Sequence, residues 1–232
     1  MLYLAVIPGI ILFIIIWRKD KIEKEPVGLL LKLFFFGALT TVSAVVVGMA
    51  GQYLVSGFIE EGTILFLLID NFLLTALVEE GGKYFVLKKT TWKHPAFNYT
   101  FDAVVYAVCS SLGFATLENI LYLIDADLGT AVGRGLLSVP GHVADAVFMG
   151  YYYGMARLAS AKGNERSCRA NLRKALWVPV LLHGAYDFCL STDYLTFLVI
   201  FLIFEVIVSI FAIKKVIKLS KEDSMIGREP NT

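Results

Sequence analysis

Two adjacent glutamates, Glu79 and Glu80, a nearby lysine, Lys83, a third glutamate, Glu118, and two histidines, His142 and His183, stand inside otherwise apolar stretches of this chain, as do Asp145 and Asp187. A charged side chain at the centre of a bilayer costs about 2.5–3.5 kcal/mol, so several facing lipid would cost on the order of 10 kcal/mol. These groups are therefore expected to face one another or a wet cavity. Glu79 and Lys83 are four apart, as are His183 and Asp187, and His142 and Asp145 are three apart, so each pair shares a helix face. Glu80 lies about 100° around the helix from Glu79 and should differ from it in role. Gly81 and Gly82 remove bulk beside the acidic pair, for helix packing or for the approach of a substrate.

Carboxylates and imidazoles in a semi-dry pocket suit peptide hydrolysis. A partly desolvated glutamate takes a proton from water, and a nearby imidazole or amide steadies the oxyanion. A polar network that only ties helices together uses the same residue types, but so many groups on four segments favour a site. Other protease designs are missing from the sequence. It has no His-Glu-x-x-His pair, Gly184-Ala185-Tyr186-Asp187 is not Gly-x-Gly-Asp, and no serine sits in a Gly-x-Ser-Gly setting.

The elements that must position these residues are membrane helices. The chain has 232 residues, 57% hydrophobic and 18% charged, with a mean hydropathy of +0.70, which is far from the mix of a soluble domain. Apolar segments fall near 2–17, 29–55, 64–87, 103–124, 135–156, 175–190 and 194–213, each near the length of one span. The reading is an all-α, polytopic transmembrane helical bundle of about seven spans. It forms a single domain over 1–220, followed by a disordered cytoplasmic tail, 221–232. Basic residues gather after the first, third, fifth and last segments, at Arg18–Lys24, Lys88–Lys93, Arg157–Lys174 and Lys214–Lys218. The remaining loops carry Glu60 and Glu61, Asp125 and Asp127, and Asp193, so the N-terminus is expected outside and the C-terminus inside.

On that topology Glu118, His142 and His183 lie roughly 10 Å below the outer surface, and Glu79 joins them if its span starts near Asp70-Asn71. The first segment lacks a basic leader and a small-x-small cleavage site and is expected to be retained. Cys109, Cys168 and Cys189 have no metal spacing and are taken as structural. Asn98-Tyr99-Thr100 has the form of a glycosylation acceptor but falls in an expected cytoplasmic loop. The dispersed basic residues give no sign of a nucleic-acid partner.

Glu79-Glu80-Gly81-Gly82-Lys83, Gly113-Phe114-Ala115-Thr116-Leu117-Glu118-Asn119, His142 and His183-Gly184-Ala185-Tyr186-Asp187 together resemble the PrsW family of bacterial membrane proteases, distant relatives of the CAAX-processing endopeptidases. Glu25-Pro26-Val27 and the stretch from Asp102 to Tyr106 share in the likeness, which runs from about residue 5 to residue 215. The resemblance implies a multi-pass protein of the bacterial cell membrane that performs site-1 cleavage of a single-span, membrane-anchored anti-sigma factor on its extracytoplasmic side. Membrane lipid would be its other partner.

In that scheme Glu79 or Glu80 activates water, and Glu118 with His142 and His183 positions it or stabilises the intermediate. Lys83 pairs with Glu79, Asp187 orients His183, Asn119 offers an amide, and Asp145 departs from the family and takes no part. Glu118, His142 and His183 are also the ligand types of a catalytic zinc with an open position. Analogy with the CAAX endopeptidases favours the form without a cofactor, with zinc as the alternative. The rival reading from another class is a proton-coupled transporter or channel, although neither paired repeats nor broken helices mark the sequence.

Overall fold

The computed structural model describes residues 2–124, 127–192 and 194–227. Among them the chain folds into seven helices. α1 is Leu2–Lys19, α2 is Val27–Ser56 and α4 is Asp102–Tyr122. α3 covers 64–91 as three joined pieces, Ile64–Ile69, Asp70–Ala76 and Leu77–Thr91. α5 covers 128–161 in the same way, as Leu128–Gly133, Arg134–Ser138 and Val139–Ala161. α6 is Glu165–Leu190 and α7 is Leu195–Lys221.

Each expected apolar segment corresponds to one of these helices, with two differences at the edges. The basic stretch to Lys174, expected as a connection, is mostly the beginning of α6, because the Asn164 side chain accepts from Ser167 N (3.0 Å) and caps the helix early. The segment after Lys221, expected as a free tail, is tied down where it is described. Asp223 accepts from Phe101 N (2.8 Å) and Thr100 Oγ1 (2.9 Å), Tyr99 and Met225 form a bridge pair, and Ile226 is buried. Residues 228–232 of that tail, and the outer-loop acids Asp125 and Asp193, lie outside the described residues.

α2, α4 and α7 are each long and apolar enough to cross a membrane on their own. α3, α5 and α6 carry internal charges that lower their hydropathy, and α1, with 18 residues, reaches about 27 Å. The three apolar helices differ in what they face. In α4, 72% of the most apolar window is buried, against 28% in α2 and 22% in α7, so α4 is the hub. Phe35, Leu39 and Val46 of α2 and Ile203, Val206 and Ile210 of α7 are exposed, an arrangement that suits lipid and would be costly in water. The hub admits its neighbour at two glycines, since a methyl at Gly113 would collide with the Phe34 carbonyl oxygen and one at Gly37 with that of Ser110.

α3 and α5 each contain a wide turn with i to i−5 hydrogen bonds, Leu77 N to Phe72 O and Val139 N to Arg134 O. In α5 the cause is Pro140, which has no N–H to donate and whose ring crowds the carbonyl of Leu136. In α3 the turn coincides with side-chain ties. Asn71 Nδ2 donates to Leu67 O (2.8 Å), Ser191 Oγ to Asn71 Oδ1 (3.0 Å), and Gln52 Nε2 to Asp70 Oδ1 (2.8 Å). Each wide turn inserts a residue and resets the helical phase just before chemically important side chains, Glu79 and Glu80 in α3 and His142 in α5.

Candidate active site

The adjacent glutamates of α3 point to different places. Glu80 is fully buried and turns inward, where Lys83 Nζ donates to its Oε1 (2.7 Å). Glu79 lines a cavity of about 520 Å³ whose wall also carries Glu118, Arg134, His142, His183 and Asp187. Its Oε2 is buried without a hydrogen-bond partner. Gly81 has open space around it, whereas Gly82 packs against Thr40 of α2, 3.1 Å from where a Cβ would stand. Of the two glycine readings, packing therefore applies to Gly82.

Lys83 is the electrostatic centre of the site. Besides Glu80 it reaches Glu79 Oε2 (3.7 Å), lies over the Phe114 ring (4.1 Å) and contacts His142 Nδ1 (3.1 Å). Its closer carboxylate is Glu80 rather than the expected Glu79, because both lie within one turn and only Glu80 faces the same interior gap. An ammonium can only donate, so His142 Nδ1 accepts and Nε2–H donates to Glu118 Oε2 (3.0 Å). Glu118 also accepts from Arg134 Nη2 (2.7 Å), and Arg134 Nε donates to Asn119 Oδ1 (2.8 Å). The arginine itself stacks over Tyr122, 3.9 Å from the ring centre. Asn119 is thus held behind Glu118, with its buried Nδ2 lacking a partner.

His183, on α6, stands between carboxylates. Nδ1 is 2.9 Å from Glu80 Oε1, and Nε2 is 3.1 Å from Asp187 Oδ2 and 3.7 Å from Glu79 Oε2. The orienting partner is therefore Glu80, on the interior side, while Asp187 meets the nitrogen that faces the cavity. Gly184 lets α6 close on Phe72 in the wide turn of α3. The two imidazole rings approach to 5.2 Å.

Glu79, Glu118, His142 and His183 line one cavity, with Glu80, Lys83 and Asn119 behind its wall. Two residues outside the expected set stand close by, Arg134 on the cavity wall and Glu205 beyond it. Arg134 clamps Glu118; its signal was a lone arginine at the end of the bundle where the loops are otherwise acidic. Glu205, buried on α7 and hydrogen-bonded by Ser209 Oγ (3.4 Å), lies beside Gly141; a single acid in a long apolar run was its signal. Asp145, set aside from the sequence, is buried and offers an oxygen within 4.8 Å of ligand atoms of Glu80 and His183.

The donors suited to a metal are Glu79, His142 and His183, one atom from each lying within 4.8 Å of the others. One carboxylate and two imidazoles are the donor types of catalytic zinc, and the unpartnered Glu79 Oε2 is an oxygen available to it. At His183 a metal would replace the Asp187 contact at Nε2, leaving Glu80 at Nδ1 as the outer partner that fixes ring and tautomer. At His142 a metal would replace the Lys83 contact at Nδ1, leaving Nε2–H on Glu118 as the outer partner; with those two exchanges the residues fit the group. Glu118, expected as the carboxylate ligand, is held by Arg134 and His142 instead.

The family described as PrsW family intramembrane metalloprotease matches residues 25–213 of the chain. Protease PrsW of Geobacillus kaustophilus is 37% identical over 186 residues, 80% of this chain and 77% of that protein. Protease PrsW of Bacillus subtilis is 35% identical over 202 residues, 86% of this chain and 88% of that protein. Protease PrsW of Oceanobacillus iheyensis is 34% identical over 223 residues, 96% and 97% of the two chains. No solved structure matches. With a site of buried glutamates and histidines between its helices and this likeness along most of its length, the chain belongs to the PrsW family of intramembrane proteases.

Proposed function

We propose that this protein is a metal-dependent endopeptidase of the bacterial cell membrane that performs site-1 cleavage of a single-span, membrane-anchored anti-sigma factor on its extracytoplasmic side. The observation that carries the reading is the unpartnered Glu79 Oε2 on a cavity wall shared with His142 and His183. All seven helices cross the membrane in this proposal, N-terminus outside, in keeping with the basic residues after α1, α3 and α7. The transporter or channel reading gives way because the chain belongs to a family of proteases.

A divalent metal held by Glu79, His142 and His183 would polarise the scissile carbonyl and acidify the attacking water. Glu80 accepts from His183 Nδ1 and so presents Nε2 to the cavity. Lys83 neutralises Glu80, and Glu118 accepts from His142 Nε2–H and so presents Nδ1 to the site. Asp187 Oδ2, on the cavity wall beside His183 Nε2, takes a proton from the water and returns it to the leaving amine. Arg134 fixes Glu118 and brings positive charge to the cavity mouth, where a substrate strand would enter.

The test is reconstitution of the purified protein with a single-span anti-sigma factor. Cleavage should occur in the wild type, fall at least about 100-fold in Glu79→Gln, stop on chelation and return with added zinc. Persistent cleavage by Glu79→Gln overturns the site, and cleavage by metal-free protein overturns the metal. Impermeant thiol reagents should fail to label cysteines introduced at 88–99 in intact cells; labelling there overturns the orientation.

A further inference from the structure

The end of the bundle opposite the cavity holds a second group of acids that hydrolysis does not use. Asp102 opens α4, on which Glu118 belongs to the cavity, and residues 102 and 118 are about 24 Å apart along that helix. Asp20 and Glu25 come from the connection between α1 and α2. One oxygen from each of Asp20, Glu25 and Asp102 lies within 4.8 Å of the other two. The three residues are only 2%, 3% and 0% exposed. Asp20 Oδ2, Glu25 Oε1 and Asp102 Oδ1 are all buried without a hydrogen-bond partner.

The remaining contacts hold these carboxyl groups in place without supplying charge. Glu25 Oε2 accepts from the Tyr106 hydroxyl, and Asp102 Oδ2 accepts from Asn98 N (3.0 Å) and Tyr99 N (2.7 Å). Among the described residues none of the three forms an ion pair. Lys24 is the nearby cation, but its Nζ is turned onto the main-chain carbonyls of Trp17 (2.6 Å) and Asp20 and onto the Trp17 ring. The Lys24 charge eases Asp20 from that distance, while Asp223 and Glu23 add negative charge around it. Three buried carboxylates with no ion pair and one lysine turned away from them are costly. Burial accordingly pushes the Glu25 carboxyl up to about 7 and that of Asp20 up to about 6.

We propose that Asp20, Glu25 and Asp102 form a structural site for a hard divalent cation of the Ca²⁺, Mg²⁺ and Mn²⁺ class. The donors are all oxygens, with no imidazole or thiolate among them, which selects against zinc and for hard ions. The Tyr106 hydroxyl and the two backbone amides are the outer partners that orient the ligands. A cation here clamps the connection between α1 and α2 to the start of α4. Through the Asp223 contact to Phe101 N, it also reaches the end of α7.

The test uses the full chain in detergent, carrying Glu79→Gln and His183→Ala so that the cavity is disabled as a metal site. After chelator treatment, Ca²⁺, Mg²⁺ or Mn²⁺ is titrated while Tm is followed, and Tb³⁺ luminescence excited through tyrosine provides a direct binding signal. At least one cation should raise Tm saturably, on the order of 5 °C at 100-fold excess over its Kd, and should displace Tb³⁺. Asp20→Asn and Glu25→Gln should each abolish both effects. Tyr106→Phe, which keeps all three ligands, should dim the luminescence and retain the Tm rise. Chelated Glu25→Gln should be more stable than the chelated parent and less stable than the cation-saturated parent. A Tm indifferent to all three cations, or an equal rise in both ligand variants, overturns the proposal. So does Glu25→Gln protein more stable than the cation-saturated parent, since the acids would then only repel one another.

Discussion

The two ends of this bundle bury acids in opposite ways. At the cavity, Glu79, Glu80 and Glu118 are met by Lys83, Arg134 and two histidines, so each carboxylate has a cationic or imidazole neighbour within 4 Å. At the other end, Asp20, Glu25 and Asp102 are met by a phenol, backbone amides and one another, with no ion pair among the described residues. The difference shows what each end is built to tolerate. The cavity sets a cation or an imidazole against each of these three carboxylates and still leaves one oxygen, that of Glu79, without a hydrogen bond and open to chemistry. The opposite end achieves balance only by taking something up.

The comparison breaks most visibly at Lys83. Replacing it with methionine keeps the length of the side chain but leaves Glu80 buried and uncompensated, which should cost about 3–5 kcal/mol, measured as unfolding in detergent. Adding Glu80→Gln to Lys83→Met should recover much of that loss. Equal stability of the single variant and the wild type would mean that Lys83 does not balance the cavity. Glu79→Gln should behave in the contrary way, removing at least about 100-fold of cleavage with unfolding unchanged or improved, because Glu79 Oε2 has no hydrogen bond to lose and only 3.7 Å contacts to Lys83 and His183. A stability loss that tracks the activity loss would make Glu79 a structural residue.

The cavity was more legible in the sequence than its opposite. Glu79, Glu118, His142 and His183 announce themselves because each interrupts an apolar run, and a charge in such surroundings demands an explanation. Periodicity narrowed the choice of faces but not of partners. Lys83 is three residues from Glu80 and four from Glu79, and both spacings allow contact, so only the packing of α3 against α5 and α6 could reveal that Glu80 is the closer. The wide turns in α3 and α5 shift the phase that such counting assumes. Arg134 looked like an ordinary residue at the edge of a span, and Glu205 was overlooked although it broke the same rule as the others. Glu25 and Asp102 enter the sequence only through the family likeness, and Asp20 stands among the charges after the first span, where an acid is unremarkable. What makes them unusual is burial, and the 102 end of α4 closing over 20–25 is a long-range event that no local pattern records.

A smaller effect sharpens the cavity side. Glu80→Gln keeps an oxygen for His183 Nδ1 but gives up the charge shared with Lys83. As an outer partner of a ligand imidazole it should cost 10- to 100-fold in metal affinity or cleavage, less than Glu79→Gln, and added zinc should restore part of it. Loss as deep as that of Glu79→Gln, unrelieved by zinc, would place Glu80 at the reacting atoms.

The finest contrast lies in Tyr106→Phe. Its hydroxyl is the side-chain donor to Glu25, and the residue is wholly buried, so removing it costs about 1 kcal/mol or somewhat more when a buried acceptor is left unmet. The sign of the comparison lies in how that cost responds to divalent cation. If the cluster is a cation site, Glu25 without the phenol is still met by the ion, so the penalty in the unfolding midpoint should be largest in chelator and should shrink as cation is added. If the cluster is a fixed set of protonated acids, the phenol is irreplaceable and the penalty should be the same with and without cation. Cation-independent loss would therefore mean that protein groups alone close the opposite end, as they pair the carboxylates of the cavity, and the contrast between the two would lapse.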